Sequence, residues 1–433
     1  MIHMLPHMLS VFASARYSKI PLVVSCSLLT ASTVALQPRD AAAQSRSPVK
    51  DSVLEVEQNR QSAAGRSNSE LLNLKPFRNS LRAPDPSQIR QDTRLPSLNP
   101  GGKPGMAEGR SANRDPVSSS TRAFGSFGIP FTSSRVQAGP GSSAVAPSSQ
   151  AYLSSTYPYR AIGRLTFSQG YCSASLIRSG ILLTAAHCIQ SFGSGPSTNT
   201  NFQFIPAFWS NGSTVLSPYG TWFAKAILRP ATWANGTDPG TDAARLNDLA
   251  LIALAPQNGL FVGQRTGYLG YAWNNYSFIS STRAGMLSVA ELHTLGYPFL
   301  LDSGKVMQMT SGPSYLTTVG TALQIQQGSS FTGGSSGGPW IANYLFAYPA
   351  FAGGARPGAA GAPNRVVGVT SWGSADPNNP KDNYSSRFGQ NSVYPLANYG
   401  VYGARNIGAL LNTLCNSRPA GSTTTFAQQG YCS

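Results

Sequence analysis

The sequence predicts an all-β protein, and three observations lead to that prediction. From Tyr157 onward the chain consists of short apolar runs separated by Gly, Pro, Asn and Ser, which is typical of a β-sandwich or barrel. A helical period is scarcely found before Ile407–Leu414. The roughly 270 residues with this pattern are enough for two barrels and a large core.

The pattern of residues 1–43 predicts that this N-terminal segment is a signal peptide. Arg16 and Lys19 precede a moderately apolar stretch from Ile20 to Leu36, and Ala41–Ala43 offers small residues for cleavage. A membrane-spanning helix is the alternative, but a proline and several Ser and Thr residues disfavour it. We therefore expect a secreted protein, extracellular or, if the source is bacterial, periplasmic.

The composition of residues 44–155 predicts that this segment is mostly disordered. They are rich in Ser, Pro, Gly, Arg and Asn and have few aromatic residues, so they cannot bury enough apolar surface to offset the entropy lost on ordering. Short apolar patches such as Leu71–Leu74 are expected to dock on the folded part of the chain. A removable pro-segment is our preferred interpretation, and a permanent flexible arm is the alternative.

The 433 residues include 32 Lys and Arg against 16 Asp and Glu, which gives a formal net charge of +16 at pH 7. Such an excess raises the question of nucleic acid or an anionic surface. Here the charges are scattered, without a basic run and without interleaved aromatic residues. We therefore expect no nucleic-acid partner.

The cysteines predict two disulfides. Cys26 lies in the expected signal peptide, and the four that remain permit three pairings. Neighbouring cysteines would close short loops, so we expect Cys172–Cys188 and Cys415–Cys432. Disulfides imply an oxidising compartment. Neither a C-x-x-C spacing nor a His/Cys cluster indicates a metal site, so no metal and no cofactor are expected.

His187 ends a predicted β-hairpin made of Cys172–Ile177 and Gly180–Cys188. Imidazole titrates near neutrality, which suits a group that takes up a proton and returns it. A lone histidine is more often structural, but a position beside a cysteine that closes a hairpin favours a catalytic role. His293 lacks a nearby serine or carboxylate in its motif and is interpreted as structural.

Asp248 directly precedes the apolar strand Leu249–Leu254. A charge that enters a core needs a partner, because burying it alone is costly. An imidazole N–H is such a partner, and the carboxylate would hold its tautomer. The alternative is an aspartate that caps a turn, and Asp242 competes for the catalytic role.

Ser336 lies in the glycine-rich run Thr332–Trp340. Each glycine costs chain entropy and offers no packing, so the run indicates that the backbone itself is needed. It allows a sharp turn that exposes a hydroxyl, and it lets N–H groups converge on a developing oxyanion. A Gly/Ser surface loop is the alternative for an isolated motif.

Four motifs in this order resemble the chymotrypsin/trypsin-type serine proteases over roughly residues 160–415. They are Thr184–Cys188, Asn247–Leu251, Gly334–Pro339 and Ser371–Gly373. Two further stretches, Arg160–Leu165 and Gly296–Pro298, are similar to the bacterial secreted branch that includes the glutamyl endopeptidases.

The resemblance implies two six-stranded antiparallel β-barrels that meet at a cleft, followed by a short C-terminal helix. It places the protease domain at 156–433, with the first barrel over about 160–270 and the second over about 280–405. The helix and a disulfide-closed tail would occupy 406–433.

By motif, Ser336 is expected to be the nucleophile, His187 the general base and later acid, and Asp248 the residue that orients the imidazole. The N–H groups of Gly334 and Ser336 would form the oxyanion hole, in which each donor is typically worth about 3 kcal/mol.

The resemblance also implies how substrate is bound. The segment Ser371, Trp372 and Gly373 would pair with a peptide as an added strand. Ser330 stands where trypsin has the acid at the base of its specificity pocket, and Phe331 narrows the pocket. Neither supports a preference for Lys or Arg, and small or apolar substrate residues are expected.

Two departures concern activation and specificity. Animal trypsins have an aspartate before the nucleophile that pairs with the new N-terminus, but this chain has Ser335, so maturation is expected to act by removing or loosening the pro-segment. Glutamyl specificity in the bacterial branch relies on a histidine where this chain has Thr370. Two long loops, Gln190–Arg245 and Asn343–Asn364, are expected to be functional or mobile.

The predicted function is a secreted serine endopeptidase that acts on peptide or protein substrate, is made as a precursor and works as a monomer. A catalytically silent binding or adhesion module of the same fold is one alternative. An esterase of the same fold is the other.

Overall fold

The structure of the protein, a computed structural model, describes residues 51–56, 65–77, 131–136, 153–238, 246–279, 288–319, 322–345, 362–373, 381–395 and 397–433. All of these belong to one compact unit, Pro48–Ser433. The predicted signal peptide, residues 1–43, lies outside the described residues.

In chain order the strands are β1 (Leu54–Glu55), β2 (Thr132–Arg135), β3 (Ile162–Phe167), β4 (Gly170–Leu176), β5 (Ile181–Thr184), β6 (Gln203–Pro206), β7 (Trp209–Ser210), β8 (Val215–Leu216), β9 (Trp222–Leu228), β10 (Ala250–Leu254), β11 (Gly270–Tyr271), β12 (Val289–Gly296), β13 (Gln308–Val319), β14 (Ala322–Gly328), β15 (Pro339–Ala342), β16 (Arg365–Gly373) and β17 (Asp382–Arg387). The α-helices are α1 (Asn68–Asn73), α2 (Ala186–Ile189), α3 (Ala231–Ala234), α4 (Val262–Thr266) and α5 (Arg405–Asn416). In this part of the chain no helix has the length and apolar character that a membrane crossing requires.

The first barrel has six strands in the order β9-β10-β5-β4-β3-β6, and it closes because β6 also pairs with β9. Every residue of β3, β4, β5 and β10 is buried. The outer side of this barrel is covered as well as its interior, since α5 packs against β10 and Gly180 donates to the Tyr431 carbonyl at 2.8 Å. This double burial explains why β10 is a continuous apolar run, whereas β3 and β4 also contain buried polar residues such as Arg164 and Ser173.

The second barrel has six strands in the order β16-β15-β12-β13-β14-β17, and β16 pairs with β17 to close it. Burial alternates along most of β13, as expected for a strand with one face in the core and one toward solvent. Leu292, Ile325 and Trp340 pack together inside. The prediction of two six-stranded antiparallel barrels with a short C-terminal helix is confirmed.

Both predicted disulfides are present. Cys172 and Cys188 join β4 to α2, and Cys415 and Cys432 close the tail after α5.

The stretch Gln190–Arg245 is not the long loop that the sequence predicts. It contains the barrel strands β6 and β9, the β7–β8 hairpin and α3. The prediction was wrong because Gly, Pro and Asn divide this stretch into strands of two to seven residues, and most of these are too short to reveal a period of two. Of Asn343–Asn364, only 343–345 and 362–364 are described.

The described part of the N-terminal segment, here called the arm (residues 44–155), contacts both barrels. β1 pairs with β9 of the first barrel, and β2 pairs with β13 of the second. Between them, α1 starts with a capping box formed by Ser67 and Glu70. Leu71 of this helix is buried in the main core, which confirms the prediction that the Leu71–Leu74 patch docks on the folded chain.

Candidate active site

His187 is the second residue of α2, directly after β5. The Cys172–Cys188 disulfide ties α2 to β4, and Thr184 at the end of β5 donates its hydroxyl to the Ser173 carbonyl at 2.9 Å. The imidazole is fully buried. One ring nitrogen and the sulfur atoms of Cys172 and Cys188 lie within 4.8 Å of one another. Because the two sulfurs form a disulfide, neither is a thiolate that could bind a metal.

Asp248 contacts His187 through both of its carboxylate oxygens. Its Oδ1 accepts the backbone N–H of His187 at 2.8 Å, and its Oδ2 lies 2.8 Å from Nδ1 of the same residue. Ser371 donates its hydroxyl to Oδ2 at 2.6 Å. Burial alone would raise the pKa of the Asp248 carboxyl, but the attraction of His187 and these hydrogen bonds lower the pKa below its ordinary value. The group is therefore a carboxylate that fixes Nδ1 as the protonated nitrogen.

The glycine run that carries Ser336 is fastened to β4 by Ser173. The Ser173 N–H donates to the Ser336 carbonyl at 2.8 Å. Its hydroxyl donates to the Gly334 carbonyl at 2.8 Å and accepts the Tyr297 N–H at 2.9 Å. Gly334 has a φ of +95°, and a Cβ there would lie 2.6 Å from the Tyr171 ring. Only glycine fits this position, which accounts for part of the motif.

Three groups at this place have no partner among the described residues. Nε2 of His187 is buried without a hydrogen bond, and the N–H groups of Gly334 and Ser336 donate to no acceptor, whereas that of Gly337 donates to the Thr370 carbonyl at 2.8 Å. A proton acceptor, two N–H donors and a partly exposed serine are the groups that acyl transfer requires.

Ser330 and Phe331 lie in the segment just before the glycine run. The Ser330 hydroxyl is 3.2 Å from that of Ser133 in β2. Phe331 is buried, and its carbonyl accepts the side-chain amide of Asn383 at 3.1 Å. That amide also lies where a side chain at Gly373 would be. Asn383 therefore occupies the space between the two predicted pocket walls, and all of these groups are uncharged.

The segment Ser371, Trp372 and Gly373 forms the end of β16. Its strand register against β17 shifts between Thr370 and Trp372, at the point where the Ser371 hydroxyl reaches the Asp248 carboxylate. The Trp372 ring stacks on Tyr384 with ring centroids 3.6 Å apart. The segment is thus held from both sides.

His187 and Asp248 are in direct contact, and a Cβ at Gly337 in the Ser336 loop would lie 2.8 Å from the Ala185 nitrogen, two residues before His187. Asp242, the competing carboxylate, lies outside the described residues. His293 is on β12, where its ring packs 4.8 Å from that of Tyr344 and burial lowers its pKa. Sequence reasoning missed Ser173 and Asn383, although Ser173 stands next to a cysteine of the stapled hairpin.

Several known proteins are similar to parts of this chain. The Trypsin family model matches residues 150–387, more than half of the chain. The glutamyl endopeptidase of Bacillus licheniformis is 28% identical over 184 residues, which are 42% of this chain and 49% of that protein. The chain therefore spans about half the length of this curated relative.

Two solved structures also match. The protease Anisep from Arthrobacter nicotinovorans has a TM-score of 0.40 and 23% identity, over 53% of this chain and 91% of that chain. A Glu endopeptidase in complex with MPD has a TM-score of 0.39 and 17% identity, over 59% of this chain and 91% of that chain.

Proposed function

This chain belongs to the trypsin family, and from that membership we propose that it is a secreted serine endopeptidase made as a precursor. The observation that carries the proposal is the buried His187–Asp248 pair. The other ring nitrogen, Nε2, has no hydrogen-bond partner among the described residues. Such a nitrogen is a ready base for a serine hydroxyl.

In the proposed reaction the Ser336 hydroxyl attacks the carbonyl carbon of a peptide bond while Nε2 of His187 takes its proton. Attack forms the C–O bond and a tetrahedral oxyanion. When this intermediate collapses, the C–N bond breaks, the imidazolium gives its proton to the leaving amine, and the acyl-enzyme remains. Asp248 stabilises the imidazolium and keeps the ring oriented. A water molecule then repeats the sequence and frees Ser336.

Negative charge on the substrate oxygen would be met by the N–H groups of Gly334 and Ser336. Removal of one such donor typically slows catalysis by about 100- to 1,000-fold. The end of β16 would align the peptide as an added strand.

The proposed substrate residue in the specificity pocket is uncharged. Ser330, Phe331, Thr370 and Asn383 offer hydroxyl, amide and ring groups, and none of them neutralises a charged side chain. The B. licheniformis relative is named a glutamyl endopeptidase, but Thr370 replaces the histidine that the resemblance associates with glutamate. We therefore propose small or apolar residues as substrates and not glutamate.

Secretion and maturation belong to the same proposal. The two disulfides suit an oxidising compartment, and the basic and apolar N-terminus suits export. The arm would be removed as a pro-segment, with the cut between about Gln150 and Ala161, and the enzyme would act as a monomer.

The test is cleavage of an unbiased peptide library by the secreted protein, with Ser336→Ala as the control and mass spectrometry of the products and the enzyme N-terminus. Cleavage by the unaltered protein alone supports the proposal and reports both specificity and the maturation cut. Equal product formation by both proteins would overturn Ser336 as the nucleophile. No cleavage by a folded protein whose arm has been removed overturns the proposal in favour of a binding module or an esterase. Hydrolysis of non-peptide esters then separates these two.

A further inference from the structure

Part of the arm lies in the site itself. Phe77 donates its N–H to the Tyr171 carbonyl at 3.0 Å, and Tyr171 donates its N–H to the Lys75 carbonyl at 3.2 Å. Pro76 thus pairs with Tyr171 as a parallel bridge. Tyr171 is the residue whose ring borders Gly334 of the oxyanion loop.

The Phe77 side chain lies next to the His187 imidazole. Its ring stacks on that of His187 at a centroid distance of 6.4 Å and an interplanar angle of 16°, and it meets Phe167 edge to face at 5.3 Å. Phe77 is 8% exposed, so its side chain is almost completely covered by the folded chain. On the other side, Pro76 lies against Gly333, one residue before the oxyanion donor Gly334.

The backbone of Lys75–Phe77 passes close to Gly170. Gly170 has a φ of +152°, and a Cβ there would lie 2.6 Å from the Lys75 carbonyl oxygen. A side chain at this position would push the segment away. The Lys75 ammonium sits 5.8 Å from the centroid of the Phe299 ring, which adds a cation–π contact.

We propose that Lys75–Phe77 is an intrachain ligand of the catalytic cleft. Phe77 fills an aromatic subsite formed by Phe167 and His187, and in the precursor this segment blocks access to Ser336. The proposal rests on the proposed function, because a blocked site matters only if Ser336 reacts. A substrate carbonyl must come within hydrogen-bond reach of Nε2 and of the oxyanion donors, and Phe77 and Pro76 flank that point. The subsite also identifies a substrate preference, namely an aromatic side chain close to the bond that is cut.

The test uses full-length chains and a fluorophosphonate probe that labels reactive serines. The rate of labelling of the uncut chain is followed on a denaturing gel for the unaltered protein, Phe77→Ala and Asn73→Ala. Asn73 is exposed on the same stretch and serves as the matched control. Ser336→Ala gives the background.

We expect Phe77→Ala to be labelled about tenfold faster or more, because the reactive fraction rises when the docked state is lost, and Asn73→Ala to match the unaltered protein. The peptide Leu-Lys-Pro-Phe-Arg, added to Phe77→Ala, should slow labelling again, and the same peptide with Ala in place of Phe should not.

Equal labelling of all three chains, with no effect of either peptide, would overturn the intrachain ligand and leave the proposed function standing. Absence of labelling in every chain, including Phe77→Ala, would overturn both. Equal slowing of Phe77→Ala labelling by the two peptides would refute the aromatic subsite.

Discussion

Asp248 accepts three hydrogen bonds in a fully buried site, two from His187 and one from Ser371. Asparagine has nearly the same shape, but its NH2 group cannot accept from one of these donors, so the imidazole would lose its tautomer. We predict that Asp248→Asn lowers kcat by about 10⁴-fold while the chain stays folded. Peptide hydrolysis and circular dichroism measure the two quantities.

The matched control is Asp242→Asn, since Asp242 is the competing carboxylate in the sequence. It should retain the activity of the unaltered protein. Loss of activity in Asp242→Asn together with an active Asp248→Asn would reverse the assignment.

Arg164 is a buried cation, and no described carboxylate lies within ion-pair distance of it. Its guanidinium lies 3.8 Å from the centroid of the Tyr171 ring and 4.8 Å from that of Phe208, and burial lowers its pKa to about 10. Cation–π contacts contribute about 2 kcal/mol when desolvated, less than the several kcal/mol that burying an ion costs.

We therefore predict that Arg164→Met, which keeps the length and removes the charge, raises the free energy of unfolding by about 1 kcal/mol or more. Urea unfolding in the Ser336→Ala background measures it without self-cleavage. Arg160→Met is the control, because Arg160 is half-buried and donates to the Thr266 carbonyl at 2.8 Å; it should lose stability. A fall for Arg164→Met would mean that the aromatic contacts outweigh desolvation.

The site residues that could be predicted from sequence are those whose immediate neighbours in the chain indicate a role. His187 stands beside a cysteine, Asp248 before an apolar strand and Ser336 among glycines. Ser173 and Asn383 act on residues 161 and 52 positions away in the chain. A single sequence contains no local sign of such contacts, so they required the structure.

At the scale of elements, the two disulfides close loops of nearly equal length, with separations of 16 and 17 residues. The chain-entropy model gives each about 3 kcal/mol of stability. Only Cys172–Cys188 anchors the element that carries His187. We predict that replacing either pair by alanine costs similar stability, and that only Cys172→Ala/Cys188→Ala loses most of its peptidase activity at a temperature where both variants are folded.

Thermal unfolding and peptide hydrolysis test this pair of variants against each other. Equal activities at equal folded fractions would show that α2 is held by its packing and does not need the staple.

Element boundaries were predictable where the apolar runs are long. The strand β10 and the helix α5 fall where the sequence predicts them. The predicted hairpin strand Gly180–Cys188 was too long, because β5 ends at Thr184 and His187 lies on the short helix α2. The arm elements β1 and β2 are two and four residues long and polar or mixed in sequence. They exist because the edges of β9 and β13 offer free backbone groups to pair with, and this is a property of the barrels.

At the scale of the whole molecule, the arm is bound to both barrels, and one of its anchors is titratable. Asp51 accepts the Ala231 N–H at 2.9 Å and the Tyr394 hydroxyl at 2.8 Å. Burial raises its pKa above the ordinary 3.8, although these hydrogen bonds and the charge of Arg229 act in the opposite direction. Burial and the nearby charge of Asp51 raise the pKa of Tyr399.

A carboxyl group whose pKa is raised in the docked state binds its proton more tightly there than in the free chain. Docking therefore strengthens as pH falls through the docked pKa toward 3.8, and it is weaker at neutral pH, where Asp51 is ionised. Asp51→Asn keeps the shape and removes that charge. We predict that it raises the Tm of the full-length Ser336→Ala chain at pH 7, and that the difference shrinks on acidification as Asp51 in the reference chain becomes protonated. Calorimetric scans across this pH range measure both effects, and a lower Tm for Asp51→Asn at pH 7 would mean that the carboxylate's hydrogen bonds outweigh its desolvation.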